Sequence, residues 1–305
     1  MPFPYHLLSG LKVVFRNVFF QIVLFLIILL IWWGGQSLYR VIDQTRFPVP
    51  CAMPEQANTL SEIEKGKILL DALTHQMRYE LSSTFGWSFN DILFHPVILD
   101  NRAYRQYGVY HATKFLLDLY STDIAKLGKT DKESEFLYRA RINQFAIDPR
   151  RFWFPSAESA YKQGFKLLEE YKHSLDTGKG VFNCRTDDLY TAFKFVVDDN
   201  LLGYALGLLQ NAQDLPFYTL DNRIYEAQGI VLVVRDFINS LYILYPEIKA
   251  KNNEENMKAA NLYMDRICTY DPLYITSSFN SGELIISYLL FARARLDDIA
   301  KSLKM

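Results

Sequence analysis

Apolar positions recur at three- and four-residue spacing along most of the chain, which is the pattern of amphipathic helices. Ile63, Leu69, Leu70, Leu73, Met77 and Leu81 predict a helix over Leu60–Ser83, with Ser61 as its N-cap and Glu62 and Glu64 at the positive end of the dipole. Phe85-Gly86-Trp87-Ser88 breaks it. A second helix opens at Leu99-Asp100 and runs to about Ile124. A third covers Lys129–Phe145 and ends before Asp148-Pro149, since the residue before proline avoids the helical region. A fourth covers Ser156–His173, with Ser156 as cap and Glu158 in the first turn. Thr177-Gly178-Lys179-Gly180 is a turn cluster.

Beyond that turn the plan repeats. Helices are predicted over Thr186–Leu209, from Leu220-Asp221 to Leu244, over Asn252–Cys268, and from Ser281-Gly282-Glu283 to the C-terminus. Tyr245-Pro246 and Asp271-Pro272 close two of them. No alternating strand pattern appears, and Val231–Val234, strand-like by composition, sits inside a helical period. The fold class is therefore all-α.

One stretch is apolar all round. Val18–Trp33 contains only Gln21 as a polar residue. Its helix spans roughly 24 Å, and flanking residues from Val13 to Leu38 extend it toward the roughly 30 Å of a hydrocarbon core. Trp32 and Trp33 stand where an interfacial aromatic belt belongs. The run is longer than a usual signal-peptide core and is followed by Trp-Trp-Gly-Gly-Gln, not a small-residue cleavage site. We read it as an uncleaved anchor whose partner is the lipid bilayer. Lys12 and Arg16 precede it and Arg40 and Arg46 follow; the short tail tips the orientation toward N-inside, with the body outside the cytoplasm. No other run reads as long and apolar enough to span. Pro48–Pro54, with three prolines, reads as a stiff linker. The expected organisation is a tail (1–17), an anchor (18–38), a linker (39–59) and two helical repeats (60–180 and 181–305).

The repeat rests on landmarks in order. Residues 99–108 and 220–229 both fit L-D-N-R-x-Y-x-x-x-G. Leu137-Tyr138 with Arg141-Ile142 matches Leu262-Tyr263 with Arg266-Ile267, Asp148-Pro149 matches Asp271-Pro272, and Ser156-x-Glu158 matches Ser281-x-Glu283. The offsets are 121, 125, 123 and 125 residues. Four landmarks at nearly one spacing point to duplication of a four-helix unit, packed as two halves on a shared core.

Within the motif, Asp100 or Asn101, and likewise Asp221 or Asn222, can cap the helix that follows. Gly108 and Gly229 sit mid-helix, where glycine costs about 1 kcal/mol relative to alanine and marks close approach of another backbone. Arg102 and Arg223 stand near the positive end of the dipole, so each needs a specific carboxylate or carbonyl partner. An alternative places the two D-N-R sets around a pseudo-symmetric site.

Composition adds exclusions. Half the residues are apolar and 22% are charged, which is globular, and a net charge of −1 gives no general attraction for nucleic acid. Cys51, Cys184 and Cys268 are odd in number, which excludes a complete disulfide framework; they read as free thiols, with a Cys184–Cys268 pair open in an oxidising compartment. Five histidines show no helical metal-ligand spacing, and Asp187-Asp188, Asp198-Asp199 and Asp297-Asp298 are adjacent pairs that do not face one another. No catalytic, cofactor or metal motif is present. Arg150-Arg151-Phe152-Trp153-Phe154-Pro155 is the most site-like stretch, suited to an anionic or amphipathic partner. The plainer expectation is that its rings tuck into the core while the arginines pair with acids; Trp87 and its loop are read the same way.

The L-D-N-R copies, Phe85-Gly86-Trp87-Ser88-x-Asn90-Asp91 and the single apolar segment together resemble an uncharacterised bacterial family, domain-of-unknown-function family 2333. The resemblance implies a single-anchor inner-membrane protein with a helical soluble domain, and no activity. The functional expectation is a non-enzymatic envelope scaffold or accessory module engaging an envelope protein. The alternative is an enzyme on a cell-wall or lipid-derived substrate, which needs a groove between the halves holding a carboxylate of perturbed titration near Arg102, Arg223, Arg150 or Arg151. A cytoplasm-facing adaptor is the third class.

Overall fold

A computed structural model describes residues 5–44, 49–54, 57–83, 86–90, 100–126, 132–272, 275 and 282–304. The chain forms two compact units, Met1–Phe47 and Pro48–Met305. The first is a single 40-residue helix, α1 (Tyr5–Gln44). Within it Asn17–Gly35 has a mean hydropathy of 2.4 and none of it is buried. Gly34 and Gly35 do not end the helix, so the apolar span is carried on a longer rod than the sequence predicts.

The second unit is all-helical, with no strand among the described residues. Its first half holds α2 (Glu62–Leu81), α3 (Asp100–Leu119), α4 (Glu135–Tyr138) and α5 (Ala157–Asp176). Helix α3 continues as a π-helical turn over Tyr120–Ile124, and α4 over Arg139–Gln144. The predicted caps are in place. Ser61 Oγ accepts from the Glu64 amide at 3.3 Å while Glu64 accepts from the Ser61 amide at 2.8 Å, a complete capping box. Ser156 accepts from Ser159 at the start of α5.

The second half holds α6 (Thr186–Val197), α7 (Leu202–Leu208), α8 (Phe217–Leu244), α9 (Pro246–Ala250), α10 (Glu254–Cys268) and α11 (Glu283–Lys304). Helices α6–α7, α8, α10 and α11 follow one another in an order comparable with α2, α3, α4 and α5, with α9 added.

Three expectations are corrected. The helix predicted over Thr186–Leu209 is broken between α6 and α7, where Asp198, Asp199 and Asn200 supply three poor helix formers in succession. Helix α8 begins at Phe217, after Pro216, so the second L-D-N-R copy lies inside the helix and Asp221 and Asn222 do not cap it. In the first copy, Asp100 and Asn101 stand in the first turn of α3, and Leu99 lies outside the described residues. Among the described residues, the helix predicted over Lys129–Phe145 begins only at Glu135, residues 132–134 being non-helical. In the stiff linker, Gln76 Nε2 donates to the Val49 carbonyl at 3.1 Å and to Asp236, and Cys51 is half-buried.

Helix α8 is the spine of the body. By length and composition it too could cross a membrane, with a mean hydropathy of 1.4, contrary to the expectation of only one such run. Its burial of 83% marks it as a core helix. It packs most extensively on α3, and the two touch backbone to backbone. A Cβ added to Gly108 would stand 2.0 Å from the Glu226 carbonyl oxygen; one added to Gly229 would stand 2.1 Å from that of Arg105. The contact is reciprocal. Gly108 also meets the Ile230 amide and Gly229 the Val109 amide, so each partner on α8 lies 121 residues after its counterpart on α3. A local two-fold axis therefore passes through the crossing. Around it Ala103, Val109, Ala112, Leu116, Ala227, Ile230, Val234 and Phe237 are buried in one continuous core.

Gly108→Ala should separate the two backbones, because a carbonyl cannot swing aside as a side chain can. Overpacking of this kind costs on the order of 3 kcal/mol, about 10 °C in Tm for a body of this size. Thermal melting of the full-length protein checks this; a shift below about 2 °C would show that the crossing is not close-packed.

Candidate functional site

Next to the crossing, α3, α7 and α8 leave a cleft of about 720 Å³. One stripe of α8 forms its floor: Tyr218, Asn222 and Glu226 at four-residue spacing, flanked by Thr219 and Arg223. Helix α3 contributes Tyr104, and α7 contributes Tyr204 and Leu208. The cleft exists because α7 is thin on this side. Gly203 and Gly207 line it, and a Cβ on Gly207 would meet nothing within 4 Å.

Glu226 is the chemical centre. Only 5% of its surface is exposed, and Tyr204 donates to Oε1 at 2.9 Å. Burial raises its pKa from the usual carboxyl value to about 7, against the lowering effects of the Tyr204 bond and the charges of Arg223 and Arg150. Desolvation wins, so near neutral pH the group exchanges between a donor-capable acid and an anion. Tyr204 is itself pushed upward, first by burial and then by the Glu226 charge. His111 stacks on the Tyr204 ring at 4.2 Å, its Nε2 bonded to the Asn200 carbonyl at 3.0 Å, and burial lowers its pKa, which favours the neutral imidazole. Asn222 Oδ1 is buried with no hydrogen bond from the described residues.

The two D-N-R copies diverge here. Arg102 is 2% exposed and pairs with Glu80 of α2 at 3.4 Å; Arg105 donates to the other Glu80 oxygen at 3.1 Å, and Gln106 binds both Glu80 and the Gly86 carbonyl. The first copy is thus filled by a buried ionic cluster, which answers the need of Arg102 for a carboxylate. In the second copy, Arg223 donates to the Leu208 carbonyl at 3.0 Å and borders the cleft. Arg105 is replaced by Glu226 and Gln106 by Ala227. Asn222 and Arg223 therefore line the cleft, whereas Arg102 is paired within the buried cluster. The side chain of Asp100 lies outside the described residues; Asn101 and Asp221 are half-buried. Glu226 and Tyr204 were not singled out from sequence. The available signal is an acid at the seventh motif position, where the other copy has an arginine.

The remaining candidates separate. Trp87 is 2% exposed, with Nε1 donating to the Pro149 carbonyl at 2.9 Å. Arg150 lies over the Phe89 ring at 5.5 Å, and Arg151 is half-buried with its carbonyl bound by Asn90 and Ala157. Phe152, Trp153 and Phe154 are exposed, which corrects the expectation that these rings tuck into the core. The Asp148–Arg151 segment is held so tightly to the body that the next three side chains are directed outward. The three cysteines are free. Burial and the carboxylates Asp236 and Asp71 push Cys51 up to about 11, which leaves little thiolate at neutral pH. Among the described residues no group of three or more His, Cys, Asp and Glu is placed to hold a metal ion.

A family model described as an uncharacterized protein conserved in bacteria (DUF2333) matches residues 8–214. No curated protein and no solved structure matches the chain.

The raised pKa of Glu226 has a thermodynamic consequence. The group titrates near 4.5 unfolded and near 7 folded, so its protonation favours the folded state. That contribution is complete below about pH 4.5 and lost as pH rises through about 7. Glu226→Gln should therefore gain on the order of 3 kcal/mol relative to wild type between pH 5 and pH 8. Paired melting curves at the two pH values check it; an equal Tm difference at both would contradict the shift.

Proposed function

The chain belongs to this uncharacterised family of bacterial proteins, and from that premise we propose that it is a membrane-anchored envelope protein whose helical body binds another envelope component in the cleft beside Glu226. The anchor is the Asn17–Gly35 segment, placed in the inner membrane with its N-terminus inside and the body in the periplasm. A 19-residue apolar helix with Trp32 and Trp33 at one end supports this placement.

The single observation that carries the binding role is the make-up of the cleft. It joins an unpartnered buried acceptor (Asn222), a donor (Arg223), a carboxyl that changes protonation state near neutrality (Glu226) and the rings of Tyr104, Tyr204 and Tyr218. A few polar groups converging in an aromatic-lined concavity of this size is the usual build of a recognition site. The alternative reading, an enzyme on a cell-wall or lipid-derived substrate, is favoured by the pKa of Glu226, since a carboxyl near 7 suits acid–base work. We favour binding, because polar contacts and ring faces account for the cleft without any further catalytic group.

Gly207 allows a clean test. Its open surroundings let a leucine fill the cleft without a clash at Cβ. In cells carrying the full-length protein with a photo-crosslinking residue at Tyr218, an adduct to an envelope component is expected, and Gly207→Leu should abolish it at unchanged protein level. An adduct that persists in Gly207→Leu, or none in wild type, contradicts the reading.

A further inference from the structure

We propose that the loop Phe152–Trp153–Phe154 is a membrane-contact element, seating the body on the lipid headgroup layer of the bilayer that holds α1. The inference rests on the anchored reading above. The three side chains are 50%, 60% and 91% exposed, a run of large rings that water solvates poorly. They are not loose. Trp87 Nε1 binds the Pro149 carbonyl at 2.9 Å, Tyr161 binds the Ile147 carbonyl at 2.9 Å, and the Arg151 carbonyl accepts from Asn90 at 3.1 Å and Ala157 at 2.8 Å. The base of the loop is pinned by four bonds from the body while its rings stand clear. Such a projection costs little ordering entropy when it meets a partner.

Three features identify that partner as a headgroup layer. Tryptophan and phenylalanine are side chains of membrane interfaces, where a ring is buried to the depth of the glycerol region. Arg150 and Arg151 precede the rings directly, and residues 150–154 include no acid, which suits anionic phosphates. The tether is also short. The apolar segment ends at Gly35 and the Val49 carbonyl is already bonded to the body, leaving thirteen residues between them, nine of them in α1. The nine rise roughly 14 Å along the helix and the last four reach at most about 17 Å more. A body so tethered meets its own bilayer at an effective concentration in the millimolar range, so a weak three-ring contact suffices.

Tryptophan quenching in nanodiscs that hold the full-length protein tests this, using lipids with and without brominated acyl chains. The Trp153 signal is taken as wild type minus Trp153→Phe. Its emission should be blue-shifted and quenched at least twofold more by brominated lipid than by aqueous iodide. A Trp153 signal that brominated lipid leaves unquenched overturns the proposal, including the case where a protein partner shields it from iodide too. The anchor is read separately, from wild type minus Trp32→Phe/Trp33→Phe. If that signal is quenched by brominated lipid and Trp153 is not, the anchor stands and the loop contact fails; if neither is quenched, the anchor reading has failed first. Phe154→Ser should leave the Tm unchanged, since that side chain is 91% exposed on the body, and should raise the iodide accessibility of Trp153.

Discussion

Two helices can approach until their backbones touch only where neither carries a side chain, and this body is organised around one such contact. Gly108 and Gly229 remove the Cβ atoms that would collide with the Glu226 and Arg105 carbonyls. Each glycine weakens its own helix by about 1 kcal/mol. Close packing of α3 on α8 offsets that loss, because the approach lets the flanking apolar side chains interdigitate at crystal-like density. The reciprocity of the contact ties the two halves together. Whatever displaces one helix displaces the other by the same operation.

The crossing is symmetric, but what surrounds it is not. On the α2 side Glu80, Arg102, Arg105 and Gln106 fill the space with a buried network in which one carboxylate binds both guanidinium groups. On the opposite side the chain breaks after α6, and α7 turns Gly203 and Gly207 toward the gap. An acid takes the place of Arg105 there, and its carboxyl has a tyrosine in place of a guanidinium as its hydrogen-bond partner. One side of the crossing is thus locked and the other open. Glu226 belongs to both parts of the structure: its carbonyl is the surface on which Gly108 rests, and its side chain lines the cleft.

Much of this was legible in the sequence, for identifiable reasons. Local signals such as Ser61 with Glu64, Ser156 before α5, and proline after Asp148 and Tyr245 act within one turn, and they placed helix ends to within a few residues. The mid-helix glycines announced a close contact, and the apolar run announced α1. The misreadings concern tertiary context. The start of α8 at Phe217 was hidden because the repeated motif drew the boundary toward itself, although Pro216 was the stronger helix-start signal. The burial of Arg102 against Glu80 and the half-exposure of Arg223 could not be told apart from two identical D-N-R triplets, because the difference lies in the neighbouring helix. Rings in a loop ordinarily fold inward; those of Phe152–Phe154 point out because the preceding residues are bonded down on both sides. Agreement between the two copies does not point to Glu226, because the cleft lies where they differ.

The claim at the centre is that the two glycines serve one shared contact. A double-mutant cycle on the full-length protein measures this directly, with Gly108→Ala, Gly229→Ala and the pair compared by equilibrium unfolding. If the helices meet at a single crossing, the first added methyl already forces them apart, and the second costs less than it does alone, by at least about 1 kcal/mol of coupling. Additive losses would mean that the glycines act independently, and that the crossing does not hold the two halves together.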